Sequence, residues 1–236
     1  MSCCLKPADF GPVNSNQLHH FSNASEAAFG SVSYFKLVSH ADRVHCSFLF
    51  EKSHVAPLKA ILLSHLELSA TTVSVRQDKT LKEELQIPLH CESVFWSESA
   101  CQCFVMWRTK VRASTRFFAD RVAVLQEGSS PDQGRYVEGV VNPGDCPLRL
   151  LTSNALFSCQ LWLLGPEFLW KSEEDLLGCL PRWRLGREDG LQGLSCLFFQ
   201  VGASFGWVLS AHVFLAPTEE VSCMILTVPW KLAKVK

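Results

Sequence analysis

Apolar and polar side chains alternate along the first part of the chain, a period that is typical of half-buried strands. Residues 18–50 are expected to form three strands joined by turns. Val32 and Tyr34 fall on one face of an extended chain, and Cys46 and Phe48 repeat the pattern further on. One face of these strands is therefore predicted to be buried.

The pattern then changes to helical spacing and back to strands. Residues 64–85 are predicted to form a helix that stops before Pro88, and residues 112–126 a second helix. Short strands are predicted at 93–98 and 135–141. The order of elements is three strands, a helix, a strand, a helix and a strand. This order predicts an α/β fold with a five-stranded mixed sheet flanked by helices.

Composition narrows the class of protein without naming a function. The 236 residues are 47% hydrophobic and 19% charged, which is enough to bury a core, and the net charge is -1. A nucleic-acid-binding surface would therefore have to be local. The eleven cysteines contain no CxxC pair, which disfavours a zinc ribbon or a disulfide scaffold. The N-terminus lacks a signal-peptide pattern, so we expect an intracellular protein, cytoplasmic or nuclear.

The C-terminal part of the chain has a different character. Residues 190–218 contain no Lys, Arg, Asp or Glu and exceed the roughly 20 residues that cross a bilayer. Gln192, Gln200 and His212 disfavour a membrane span, and a membrane partner is not expected. The alternative is a tail that was never selected as part of this domain, such as a stretch in a shifted reading frame.

Six blocks of sequence carry a resemblance to a known family. They are LHHFSNASEAAFGSVSY at 18–34, KSHVAPLK at 52–59, HLELSA at 65–70, VFWSES at 94–99, RYVEGVVNPGD at 135–145 and LLGPEFLW at 163–170. Together and in this order they resemble the ribonuclease H domain of BEL/Pao-type retroelement polyproteins. The resemblance covers roughly residues 6–175.

The resemblance implies an RNase H-like fold with an irregular C-terminal appendage. Residues 1–16 would be a linker remnant, 17–150 the RNase H-like domain, 151–185 a connection segment and 186–236 an apolar tail without family resemblance. Members of this family are fused to a reverse transcriptase and an integrase. In the family, four clustered acidic side chains bind two magnesium ions. These ions activate the water that cleaves the RNA strand of an RNA/DNA hybrid.

The same motifs imply the site residues of this chain. The four acidic positions map to Asn23, Glu67, Glu98 and Asp145, so that only Glu67, Glu98 and Asp145 remain as metal ligands. Asn23 is a neutral amide where the family has the Asp that bridges both ions. Glu98 keeps its charge but is one methylene longer than the usual Asp. Magnesium binding is therefore expected to be weakened.

Other motif positions are altered as well. Gly144 replaces the usual Ala of the fourth motif, Arg149 alone remains of the Ser-Arg-Gly that normally follows, and His65 stands in place of Arg. These changes add to the expectation of a degenerate site.

A run of basic residues suggests where nucleic acid would bind. Arg108, Lys110, Arg112 and Arg116 are interleaved with aromatic residues and are predicted to contact phosphates. The alternative is an ordinary solvated helix face.

Three functional hypotheses follow from these residues. The first is a degenerate RNase H-like module that binds RNA/DNA hybrids and hydrolyses them slowly or not at all. The second is a working magnesium-dependent ribonuclease H, and the third is a structural remnant without selected activity. Whether the chain is an enzyme stays open at this point.

Overall fold

The computed structural model describes residues 5–59, 61–99, 116–149 and 151–171. In this part of the chain there are five strands: β1 (Val13–Ala24), β2 (Ala28–Ser39), β3 (Val44–Val55), β4 (Val94–Ser97) and β5 (Gly134–Tyr136). The same residues hold four α-helices: α1 (Leu63–Leu85), α2 (Arg116–Gly128), α3 (Ser153–Ser158) and α4 (Gln160–Leu164).

The strands form one mixed sheet in the order β3-β2-β1-β4-β5. Strands β1, β2 and β3 are antiparallel, whereas β4 runs parallel to β1 and β5 runs parallel to β4. The predicted five-stranded mixed sheet flanked by helices is thus confirmed. Because β1 and β4 are parallel neighbours, their carboxyl ends meet at the same edge of the sheet.

Helix α1 covers one face of the sheet. Leu68 packs with Val75 of the same helix, with Phe95 of β4 and with Leu125 of α2. Fully burying one such side chain stabilises the fold by about 1.5–3 kcal/mol. The helix ends at Leu85, and its C-cap residue Gln86 adopts a left-handed conformation two residues before Pro88.

Residues 146–171 cover the opposite face. Trp162 is buried and its ring lies 4.7 Å from that of Phe48 on β3. The Tyr34 hydroxyl donates to the Trp162 carbonyl oxygen at 2.6 Å, and Phe168 lies 4.9 Å from the ring of Trp96. The beginning of the predicted connection segment therefore belongs to the core.

Several element boundaries differ from those predicted. Strand β1 begins at Val13, and Phe10 is buried among core side chains, although both lie in the predicted linker. Strand β5 ends at Tyr136, and a 3-10 turn follows at Gly139–Val141. Val140 is 77% exposed, so the alternation that predicted a longer strand did not reflect burial. The predicted helix start at residue 112 and the tail from residue 172 lie outside the described residues.

Within the described residues, no helix has the length and apolar character that crossing a membrane requires. The apolar segment 190–218 lies outside them.

Candidate functional site

Two of the predicted site positions lie side by side at the carboxyl edge of the sheet. Ser22 of β1 is paired with Ser97 of β4 in parallel register. Asn23 and Glu98 are the next residues along these two strands. Asn23 is buried, with 6% of its surface exposed, and Glu98 is partly buried.

Glu67 reaches the same edge from α1. The helix begins at Leu63, so Glu67 lies just beyond its first turn, and no acidic residue occupies that turn. The structure gives no side-chain cap at the helix start, since the N-cap residue is Leu62. The sequence therefore carried no capping signal that could have set this boundary.

The turn that carries Asp145 is tied to the end of β1. The Asn142 side chain donates to the Ser22 carbonyl oxygen at 3.1 Å and accepts from the Gly144 amide at 3.0 Å. A Cβ atom on Gly144 would lie 2.9 Å from the Phe21 carbonyl oxygen. Glycine at this motif position therefore lets the turn pack directly on the β1 backbone.

Electrostatic coupling joins the three carboxylates. Burial raises the pKa of Glu98, and the neighbouring charges of Asp145 and Glu67 raise it further. Burial also raises the pKa of Glu67, against an opposing hydrogen bond from Ser99. Glu98 thus lies within the field of both other acids, and the three share one local environment.

Two of the four positions already have partners within the chain. The Asn23 side-chain oxygen accepts from the amide of Ala24 at 2.7 Å. The Asp145 Oδ2 atom accepts from Arg149, with Nε at 2.6 Å and Nη2 at 2.5 Å. These contacts engage one side-chain oxygen of each residue.

The arrangement can be compared with what a magnesium site requires. Mg²⁺ binds carboxylate oxygens in strict octahedral geometry. Across the described ranges, no three His, Cys, Asp or Glu side chains are grouped closely enough to hold a metal ion. Asn23 carries no charge, and the positive charge of Arg149 lies against Asp145. As arranged, these side chains do not fit a two-ion magnesium site.

The predicted basic residues fall largely outside the described residues. Arg108, Lys110 and Arg112 lie in the gap from 100 to 115, and Arg116 is the first residue of α2. The structure does describe Arg121, whose Nε donates to Ser69 of α1 at 2.9 Å. Burial and the charge of Arg76 lower the pKa of Arg121, with a smaller opposing effect of Asp120.

A buried polar network under α1 was not predicted from the sequence. His20 lies 2.8 Å from the Ser33 hydroxyl and 3.0 Å from Asp78 Oδ1. Asp78 also accepts from Ser93 and from Lys82, the latter at 2.6 Å. His20 and Ser33 are completely buried, so this Ser-His-Asp arrangement attaches α1 to the sheet and is closed to any substrate.

Comparison with known proteins bears on the family of the first part of the chain. Residues 8–99 match the family described as the Pao retrotransposon-like RNaseH-like domain. No curated protein matches the chain.

Three solved structures illustrate the likeness in fold. RNase H1 from the archaeon Halobacterium salinarum NRC-1 aligns at 10% identity and a TM-score of 0.32, over 55% of this chain and 88% of that one. The N-terminal RNase H domain of a Mycobacterium tuberculosis protein, fused to maltose-binding protein, gives 10% and 0.31, over 61% and 94%. LC11-RNase H1 in complex with an RNA/DNA hybrid gives 11% and 0.31, over 54% and 88%.

The family assignment rests on the sequence match and not on these alignments. The match confirms the predicted BEL/Pao resemblance and includes three of the four site positions, ending before Asp145. Residues 8–99, which hold Asn23, Glu67 and Glu98, thus match the model of the Pao retrotransposon-like RNaseH-like domain family.

Proposed function

We propose that this chain is a retroelement-derived RNase H-like module that binds RNA/DNA hybrids and cleaves their RNA strand slowly or not at all. One observation supports the proposal: Glu98 lies near both Glu67 and Asp145, whereas the side chains of Asn23 and Asp145 already have partners within the chain. Asn23 bonds to the neighbouring backbone and Asp145 to Arg149.

The loss of charge has a direct consequence for catalysis. Magnesium stabilises negative charge that develops on the phosphate, and its own binding needs carboxylates nearby. Three carboxylates remain in place of four, and Arg149 offsets one of them. The net negative charge of the cluster is therefore smaller than that of a working nuclease site, and we expect it to bind cations weakly.

Hybrid binding does not require these carboxylates. It requires cations that contact phosphates, and the predicted candidates are Arg108, Lys110, Arg112 and Arg116. A protein that neutralises several phosphates loses affinity steeply as salt rises, with a slope of about 0.9 per contact on a duplex.

A binding and cleavage assay on the full chain tests the proposal. Labelled RNA/DNA hybrid and duplex DNA of equal length are titrated with protein at several salt concentrations, and cleavage is followed in millimolar Mg²⁺. We expect salt-dependent hybrid binding with cleavage close to background. Changing the four basic residues to Ala should reduce the salt slope by about one for each phosphate that is no longer neutralised.

Two results would overturn this proposal. Rapid cleavage that disappears in Glu67→Gln would establish a working ribonuclease H, the second candidate, which the electrostatic influence of Glu67 and Asp145 on Glu98 favours. Absence of hybrid binding at low salt would leave a structural remnant.

A further inference from the structure

Two cysteines lie next to each other beside the Asp145 turn. The sulfur atoms of Cys146 and Cys159 are 3.3 Å apart, and the residues are 13 positions apart in sequence. Both are free thiols in the structure. A disulfide bond needs sulfur atoms about 2.05 Å apart, so a movement of little more than an ångström would join them.

Each of the two cysteines is fixed by backbone hydrogen bonds in a different local structure. Cys146 directly follows Asp145, and its amide donates to the Pro143 carbonyl oxygen at 3.2 Å. Cys159 is the N-cap residue of α4 and accepts from the Leu163 amide at 3.0 Å. The pair therefore connects the Asp145 turn to a helix that is anchored on the sheet by buried Trp162.

We propose that Cys146 and Cys159 form a reversible disulfide that fastens the turn carrying Asp145 to the start of α4. The eleven cysteines of this chain show no scaffold spacing, so the proposed bond is a redox-sensitive modification and not a folding framework. The proposal does not depend on the function proposed above.

The chemistry requires an oxidant, for which a small-molecule disulfide such as oxidised glutathione suffices. Cys159 is the more exposed thiol, and its thiolate attacks one glutathione sulfur while the other glutathione leaves as a thiolate. Cys146 then loses its proton and attacks the Cys159 sulfur, and the second glutathione leaves. Two protein thiols and one oxidised glutathione become one protein disulfide and two reduced glutathione molecules.

Tryptic mapping of the intact, oxidised chain tests the proposal directly. Cleavage after Arg135, Arg149 and Lys171 places Cys146 alone in peptide 136–149 and Cys159 alone in peptide 150–171. The full chain is equilibrated at stepped ratios of reduced to oxidised glutathione, quenched in acid, alkylated and digested without reductant. We expect these two peptides to appear cross-linked at a more reducing ratio than any other cysteine pair.

The melting temperature gives a second readout. Closing this short loop should raise it by roughly 5 °C or more, and dithiothreitol should reverse the change. Cys46→Ser is the matched control, because Cys46 is also buried but its thiol contacts the Leu169 carbonyl oxygen. Cross-linking of peptides 136–149 and 150–171 should persist in that variant.

In Cys146→Ser, Cys159 should stop at the mixed disulfide with glutathione. The proposal is overturned if the wild-type chain also accumulates that mixed disulfide while Cys146 stays open to alkylation. It is equally overturned if other cysteines oxidise first and these two remain as thiols. The wild-type map alone decides, so the result holds even if a variant fails to fold.

Discussion

Arg149 binds Asp145 through a single carboxylate oxygen, with Nε at 2.6 Å and Nη2 at 2.5 Å from Oδ2. The two residues are four positions apart and lie on consecutive 3-10 turns after β5. A guanidinium therefore stands against the carboxylate that the family motif assigns to a metal ion. The ion pair and a bound cation compete for the same charge.

Replacing Arg149 with Gln should strengthen magnesium binding. Removing the guanidinium takes away the positive charge that offsets Asp145, and a partly exposed ion pair contributes up to about 1 kcal/mol, equivalent to roughly fivefold in affinity. Titration calorimetry with Mg²⁺ measures the change. Arg43→Gln is the control, because it removes another exposed ion pair, with Asp9, at the far end of β2. Equal affinities in both variants would contradict the prediction.

Replacing Glu67 with Gln should lower the pKa of Glu98. That pKa is raised first by burial and then by the charges of Asp145 and Glu67, so removing one negative neighbour makes deprotonation easier. Burial remains, so the pKa should stay above its ordinary value. Carbon-detected NMR titration of the Glu98 carboxyl group measures it. Glu92→Gln removes an exposed carboxylate that is not among these causes and should leave the pKa unchanged.

The long elements of the fold could be predicted from the sequence because their apolar residues recur with the period of a strand or a helix, although β2 is buried on both faces. Strands β2 and β3 and helix α1 are of this kind. The end of strand β5 could not be predicted, because Val140 and Val141 continue the apolar pattern of a strand although both are exposed. The burial of Phe10 was also not predictable, because a single aromatic residue before β1 carries no period.

For the site, the sequence predicted which residues take part but not the contacts that they make. The positions of Asn23, Glu67, Glu98 and Asp145 came from motif order, and the parallel register of β1 and β4 explains why the first and third lie together. Their partners depend on tertiary contacts. The spacing of Asp145 and Arg149 was visible as an i, i+4 pair, but only the fold shows the turn that brings them together.

Replacing Asp78 with Asn should destabilise the chain in a pH-dependent way. Burial would raise the pKa of Asp78, but hydrogen bonds from His20, Lys82 and Ser93 together lower it below its usual value. A carboxylate with a lowered pKa stabilises the fold above its unfolded pKa of about 3.9, and this stabilisation is lost as the pH falls through the folded value. We expect a loss of about 1–3 kcal/mol at pH 7 that shrinks below about pH 4.

Urea unfolding at pH 7, 5 and 3 measures this difference. Asp42→Asn is the matched control, since Asp42 is exposed at the β2–β3 turn and its positive φ angle suits Asn equally well. A difference between Asp78→Asn and wild type that stays constant from pH 7 to pH 3 would show that lost packing, and not charge, is responsible.

Replacing Asn23 with Asp restores the fourth carboxylate of the cluster. Asn23 is 6% exposed and lies next to Glu98, so the new charge meets its neighbours at close range in a buried place. Without a divalent ion the variant should melt below wild type because like charges repel. Millimolar Mg²⁺ should raise its melting temperature by binding the folded state, and wild type should respond less.

The same change should increase magnesium-dependent cleavage of an RNA/DNA hybrid. Losses of comparable charge stabilisation cost about 10²–10³ in rate, so a gain of that order is expected. Adding Glu98→Asp should give more than an additive gain, because both side chains would serve the same ions.

Asn16→Asp is the control: Asn16 is also a buried Asn of β1, but it bonds to the backbone of Pro88 and His90 at the other end of the strand. Magnesium should not rescue its stability, nor should cleavage appear. If the double variant binds hybrid but does not cleave it, the loss of activity must come from the Gly144 turn or the Arg149 ion pair. That result would favour a structural remnant.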